Sequence, residues 1–123
     1  MEMHPKLDEK VYAASESRKL SMRDLMEYFS QMGKLRVSDL HIKVGCPPVY
    51  RVDGALQRMK GAALDGAAVE ALVHSLLTDE EFRRLRENRS VDSSCVTEKL
   101  QFRLNVFHDN QGLSIAIRSL EST

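Results

Sequence analysis

The chain has 123 residues, 42% hydrophobic and 29% charged, with 18 basic side chains balanced by 18 acidic ones. That composition suits one globular domain with one core, not a membrane bundle or a disordered polymer. A net charge of zero supplies no long-range field toward nucleic acid or an anionic bilayer, so neither partner is expected.

The two cysteines, Cys46 and Cys95, are too few for a disulfide framework and read as free thiols. No apolar run reaches the ~18 residues that a bilayer span requires, so no membrane insertion is expected. The opening MEMHPKLDEK is charged and lacks the apolar centre of a secretory leader. A cytoplasmic location follows as the expectation.

Residues 1–20 show no sustained period, alternate in charge and are interrupted by Pro5. They are expected to form a mobile tail, with at most a helical turn near Val11–Ala14, leaving 21–123 as the folded domain. Ser21 is a good helix N-cap, with Asp24 near the positive end of the dipole. Met22, Leu25, Met26, Phe29 and Met32 then fall at helical spacing, and Gly33-Lys34 suits a helix end. The methionines read as core filler.

Ser38–Val44 alternates, with Leu40, Ile42 and Val44 on one side and Asp39, His41 and Lys43 on the other, the pattern of a half-buried strand. Gly45-Cys46-Pro47-Pro48 stops it, because proline cannot donate to a ladder. Val49–Val52 and Ala55–Met59 flank Asp53-Gly54, a type I′ hairpin signal. Asp65 can cap a second helix whose inner face holds Val69, Leu72, Val73, Leu76 and Leu77. His74, lying among these apolar positions, reads as a partly buried, satisfied histidine. Thr78-Asp79-Glu80-Glu81 is a capping box that opens a third helix, with Phe82 and Leu85 inward and a solvated charge pattern outward.

The last third is β-rich. Val91–Thr97 forms a strand. Leu100–Phe107 alternates Leu100, Phe102, Leu104 and Val106 against Gln101, Arg103, Asn105 and Phe107. Asp109–Gly112 makes a turn, and Leu113–Leu120 returns with Leu113, Ile115 and Ile117 inward. The expected class is α+β, with three helices and a mainly antiparallel sheet of about five or six strands.

Catalytic signals are weak. The phosphate-cradling pattern G-x-x-x-x-G-K-[ST] has no counterpart: Gly33-Lys34 is followed by Leu35, and Gly61–Gly66 contains no lysine. The four histidines, at 4, 41, 74 and 108, form no zinc-ligand spacing, and no metal site is expected. No G-x-S-x-G or nucleophilic-cysteine context is present.

The segment SDLHIKVGCPPVYRVDG, Ser38–Gly54, resembles the S-D-L-H…G-x-P-P-x-x-R-V-D-G signature of PilT-type pilus retraction and twitching-motility ATPases. The family's later R-F-R-V-N-x-F signature corresponds to Gln101–Phe107, and Val91–Ser93 stands at its Asp-Phe-Ser-like step. Lys43 occupies the position where assembly and secretion ATPases usually have glutamate, which favours the retraction branch. The resemblance implies a PAS-like domain that precedes a RecA-like motor in a cytoplasmic hexamer. ATP and Mg²⁺ would be handled by the motor, with no cofactor held by this chain itself. The partner so implied is the motor domain of a neighbouring subunit.

By position in the motifs, Arg103, Asn105 and Arg118 are the candidates to face nucleotide, and Asp39, His41, Lys43 and Arg51 the candidates for the intersubunit interface. Gln101 and Gln111 replace arginines of the family pattern, which weakens any nucleotide contact. The leading expectation is a regulatory and interface domain, not catalytic alone and separate from its motor, existing by itself as a monomer or weak dimer. The alternatives are a stand-alone PAS-like small-ligand or docking module and the N-terminal domain of a type II secretion or pilus assembly ATPase. An Asp39–His41 pair is read as structural, and Arg51 as a partner for a carboxylate across its hairpin.

Overall fold

The alternation read from the sequence becomes a sheet in a computed structural model, which describes residues 5–31, 36–97 and 100–120. After a single 3-10 turn, Pro5–Asp8, come β1 (Lys10–Ser15), β2 (Arg18–Ser21), α1 (Met22–Gln31), β3 (Val37–Lys43), β4 (Val49–Val52) and β5 (Ala55–Arg58). Then follow α2 (Gly66–Leu76), α3 (Asp79–Asn88), β6 (Ser90–Val96), β7 (Gln101–Asp109) and β8 (Gly112–Leu120). The fold is α+β. Six strands form one sheet in the order β5-β4-β3-β8-β7-β6, and each neighbouring pair is antiparallel. No helix among the described residues is long and apolar enough to cross a membrane.

Two meanders make this sheet. β3-β4-β5 turns at Asp53-Gly54, both at positive φ (48° and 83°), as the Asp-Gly signal requires. β6-β7-β8 turns near Gly112, at φ 128°. The meanders join where β3 pairs with β8, from Asp39 opposite Arg118 to Lys43 opposite Ser114.

One face of the sheet carries the core. Leu40, Ile42, Tyr50, Val52, Phe102, Leu104, Val106, Ile115 and Ile117 are buried there, with Leu25 and Met26 of α1 and Val69, Leu72 and Val73 of α2. The helix starts follow local chemistry. Ser21 Oγ accepts from Asp24 N–H at 3.0 Å while the Asp24 carboxylate accepts from Ser21 N–H at 2.8 Å, a reciprocal cap. Asp65 accepts from Ala68 N–H at 2.8 Å, and Thr78 with Glu81 completes the expected capping box. Tyr50 is buried, and its hydroxyl donates to the Leu25 carbonyl at 2.6 Å. Burial pushes its phenol well above the ordinary range.

The N-terminal segment departs from expectation. Residues 10–20, read as the end of a tail with a helical turn near Val11–Ala14, pair instead, together with Ser21, as the β1–β2 hairpin. Leu7 is fully buried and Tyr12 is 2% exposed. The Tyr12 hydroxyl donates to the Ala62 carbonyl at 2.6 Å, and Ala62 N–H donates to the Ala14 carbonyl at 2.9 Å. The chain passes so closely that a Cβ at Gly61 would lie 2.7 Å from the Tyr12 hydroxyl. Ion pairs Lys10–Asp24 and Arg23–Asp8, each 2.5 Å, tie the segment to α1. A few apolar anchors, not a regular period, hold it on the domain. Met32, Gly33 and Lys34 lie outside the described residues.

Candidate functional site

The second face of the sheet bears the side chains that alternate away from the core. Strand register sets them in rows. Arg51 on β4 stands opposite Asp39 on β3, Asp39 opposite Arg118 on β8, Arg118 opposite Arg103 on β7, and Arg103 opposite Ser94 on β6. The neighbouring row runs Val49, His41, Ala116, Asn105 and Asp92. Asp39, His41, Asp92, Arg103, Asn105 and Arg118 together line a shallow concavity of about 260 Å³.

Asp39 is the hub of the first row. Its carboxylate accepts from Arg118 Nε at 3.2 Å and Ser38 Oγ at 2.8 Å, and lies 3.6 Å from Arg51 Nε. Partial burial pushes its pKa up. The hydrogen bonds from Ser38 and Arg118 and the charges of Arg118 and His41 outweigh that and hold it below the usual carboxylate value. Arg51 also donates to the Gly54 carbonyl at 3.0 Å across its own turn. Arg51 thus meets a carboxylate on β3 and not, as expected, one across its own β4–β5 hairpin, where its partner is the Gly54 carbonyl; the Asp39 carboxylate is engaged by arginines and Ser38.

Arg103 differs from its row partners. It is exposed, has no ion pair among the described residues, and faces another guanidinium across the β7–β8 ladder. Like charges directly opposite on neighbouring strands are destabilising. The row thus offers outward positive charge beyond what Asp39 neutralises. Asn105, by contrast, is occupied: its Nδ2 donates to Asp92 at 2.8 Å. Asp92 was not singled out from the sequence. Only its opposition to Asn105 in the β6–β7 register reveals its part, and that pairing needs the strand alignment.

Among the predicted site residues, Asp39, His41, Arg103, Asn105 and Arg118 share one concavity, and Arg51 joins through Asp39. Lys43 does not. It stands at the far end of β3 opposite Ser114, outside the lining, and its charge acts on Asp109. Gln111 sits in the β7–β8 turn, its N–H donating to Asp109 at 2.8 Å. His74 also departs from expectation. It is exposed, stacks on Phe82 with ring centroids 4.2 Å apart, and lies 3.8 Å from Glu70. Its apolar sequence neighbours turn inward from the helix face that carries it. Among the described residues, no group of three His, Cys, Asp or Glu is placed to hold a metal ion.

The open face can therefore present a guanidinium pair to an anion or to carboxylates, in a frame fixed by Asp39. No protein-family model matches the chain. It is 32% identical over 100 residues to the type IV pilus retraction ATPase PilT of Pseudomonas aeruginosa, covering 80% of this chain and 29% of that protein. The chain is a relative of the PilT-type ATPases.

A twitching motility protein of Neisseria gonorrhoeae is 26% identical over 102 residues, covering 77% of this chain and 27% of its own length. Among solved structures, the pilus retraction motor PilT with bound ADP superimposes with a TM-score of 0.70 at 28% identity, over 80% of this chain and 29% of that one. The Legionella pneumophila ATPase DotB, at 18% identity and a TM-score of 0.66 over 83% of this chain and 29% of its own, shares the fold. The chain thus spans less than a third of the length of its PilT relatives. The matched residues align with part of a pilus retraction ATPase.

Proposed function

We propose that this chain acts as the regulatory and intersubunit-interface domain of a PilT-like retraction ATPase, docking its open sheet face against the motor domain of a neighbouring subunit. The observation that carries this reading is the in-register row Arg51–Asp39–Arg118–Arg103, with a guanidinium pair facing outward. A rigid sheet holds these groups at fixed spacing, so little ordering is required when they meet carboxylates or a phosphate edge. Twitching motility is the process the reading assigns. ATP and Mg²⁺ belong to the motor, and the domain alone turns over no nucleotide. The protein is placed in the cytoplasm, without nucleic-acid partners or membrane insertion, and as a monomer or weak dimer when separate. Lys43 in place of glutamate favours the retraction branch over secretion and assembly ATPases.

The test mixes the chain with full-length Pseudomonas aeruginosa PilT and measures association by titration calorimetry and co-elution. The expected result is a complex with a Kd in the range of about 10–100 µM, lost in the Arg103→Glu/Arg118→Glu double variant. No association at about 100 µM, or association that ignores both substitutions, overturns the proposal. Titration with ATP and Mg²⁺ alone is expected to give no binding or about millimolar affinity, because one sheet face supplies few phosphate donors.

A further inference from the structure

A second concavity lies away from the open-face row and shares no lining residue with it. Its volume is about 210 Å³, and Val37, Tyr50, Val52 and Met59 supply apolar lining. Arg18, from the N-terminal hairpin, closes one side together with Tyr28 of α1. The remaining boundary comes from Gln57, Arg58 and Lys60 at the end of β5. Three cations thus border the cavity, and its lining contains no carboxylate.

The aromatic wall is built rather than incidental. Tyr28 meets Tyr50 edge-on with ring centroids 5.7 Å apart, and Tyr50 meets Phe29 at 6.0 Å. Tyr50 is fixed from behind by its bond to the Leu25 carbonyl. The Arg18 guanidinium donates to the Tyr28 hydroxyl, which places a fixed charge at the mouth. Neither Arg18, Arg58 nor Lys60 has an ion pair among the described residues.

We infer that this cavity binds a small organic anion: an apolar body of one ring or a short acyl chain, with a carboxylate at the mouth beside Arg18. The size agrees, since an apolar cavity of about 150 Å³ accepts benzene, so this one has room for a ring plus a substituent. The charge agrees, since a guanidinium and a phenol are paired donors for a carboxylate. The cavity draws on both the N-terminal hairpin and the sheet, so occupancy couples the two.

The experiment is a backbone-amide NMR titration of the intact chain with phenylacetate and hexanoate, each matched with its neutral amide. The expected result is a saturable shift at the amides of Val37, Val52 and Met59, with a Kd of about 1 mM or tighter for at least one acid. The matching amide is expected to bind about tenfold more weakly, as is the acid to Arg18→Gln, while Arg18→Lys recovers part of the affinity. Arg18 is exposed, and an unchanged spectrum elsewhere shows that the variant folds. Absence of saturable shifts at those amides up to about 10 mM of either acid, or equal binding of acid and amide, overturns the inference. Binding to PilT plays no part in this readout, so the two proposals stand or fall separately.

Discussion

The two faces of the six-stranded sheet are made from the same strands, one residue out of phase. Leu40 and Ile42 point under the helices, while Asp39 and His41 point to the open side. Leu104 and Val106 are buried, while Arg103 between them and Phe102 is exposed. The covered face is close-packed and apolar, and each of its residues contributes to stability. The open face holds charges in register, including a pair of arginines opposite one another, an arrangement that does not favour the isolated fold. The contrast separates what holds the domain together from what it displays.

The largest expected effect breaks the covered face. Leu104→Ala should cost about 3 kcal/mol, read as a shift in urea midpoint with unchanged slope. Tyr12→Ala should cost a comparable ~3 kcal/mol, because this buried ring anchors the N-terminal hairpin. A chain whose hairpin were a loose tail would show no change. Tyr50→Phe removes one buried hydroxyl and leaves the Leu25 carbonyl without that donor, for about 1 kcal/mol by the same assay.

On the open face the effects are smaller and carry a pH signature. The folded-state pKa of Asp39 is depressed, as is that of Asp24 away from this face, in the first turn of α1. For Asp24, too, burial pushes up, and the bonds from Lys10 and Ser21 outweigh it. A carboxylate with a depressed folded pKa contributes stability that is fully present above its unfolded value of ~3.9 and is lost as pH falls through the folded one. Asp39→Asn should therefore cost about 1 kcal/mol at neutral pH and leave the acid limb of the stability profile less steep. The smallest effect has the opposite sign. Arg103→Thr relieves the cross-strand repulsion and should stabilise the domain by about 0.3 kcal/mol while weakening its association with PilT. If Arg103→Thr destabilises the fold by more than about 1 kcal/mol, the division of labour between the faces fails.

Most of the fold was legible because period and punctuation agree along the chain. Leu40, Ile42, Leu104 and Ile117 alternate visibly, Asp53-Gly54 takes the turn its two residues favour, and Thr78 with Glu81 caps as expected. The hairpin at 10–21 was not legible. Its burial rests on Tyr12, Ala14 and Leu20 among small and charged neighbours, and alanine and serine give too little contrast to mark a period of two. One of its partners, Ala62, is also remote in the chain, 50 positions from Tyr12.

The site was legible as a set of outward residues but not as a constellation. Asp39 stands beside Arg118 only because β3 and β8 pair, and the Asn105–Asp92 bond needs the β6–β7 register. The cavity behind Arg18 was invisible for the same reason, since its walls come from separate stretches of chain.

The β3–β8 pairing also bears on how the chain acquires its structure. Each meander closes through short turns, whereas the Asp39–Arg118 contact bridges 79 positions. Joining the halves therefore carries the largest loop-closure entropy in the sheet, with α2 and α3 enclosed in the loop. Topology of this kind slows folding without weakening the final state. The clasp at Asp39 is expected to form late, so Asp39→Asn should speed unfolding while leaving the refolding rate nearly unchanged.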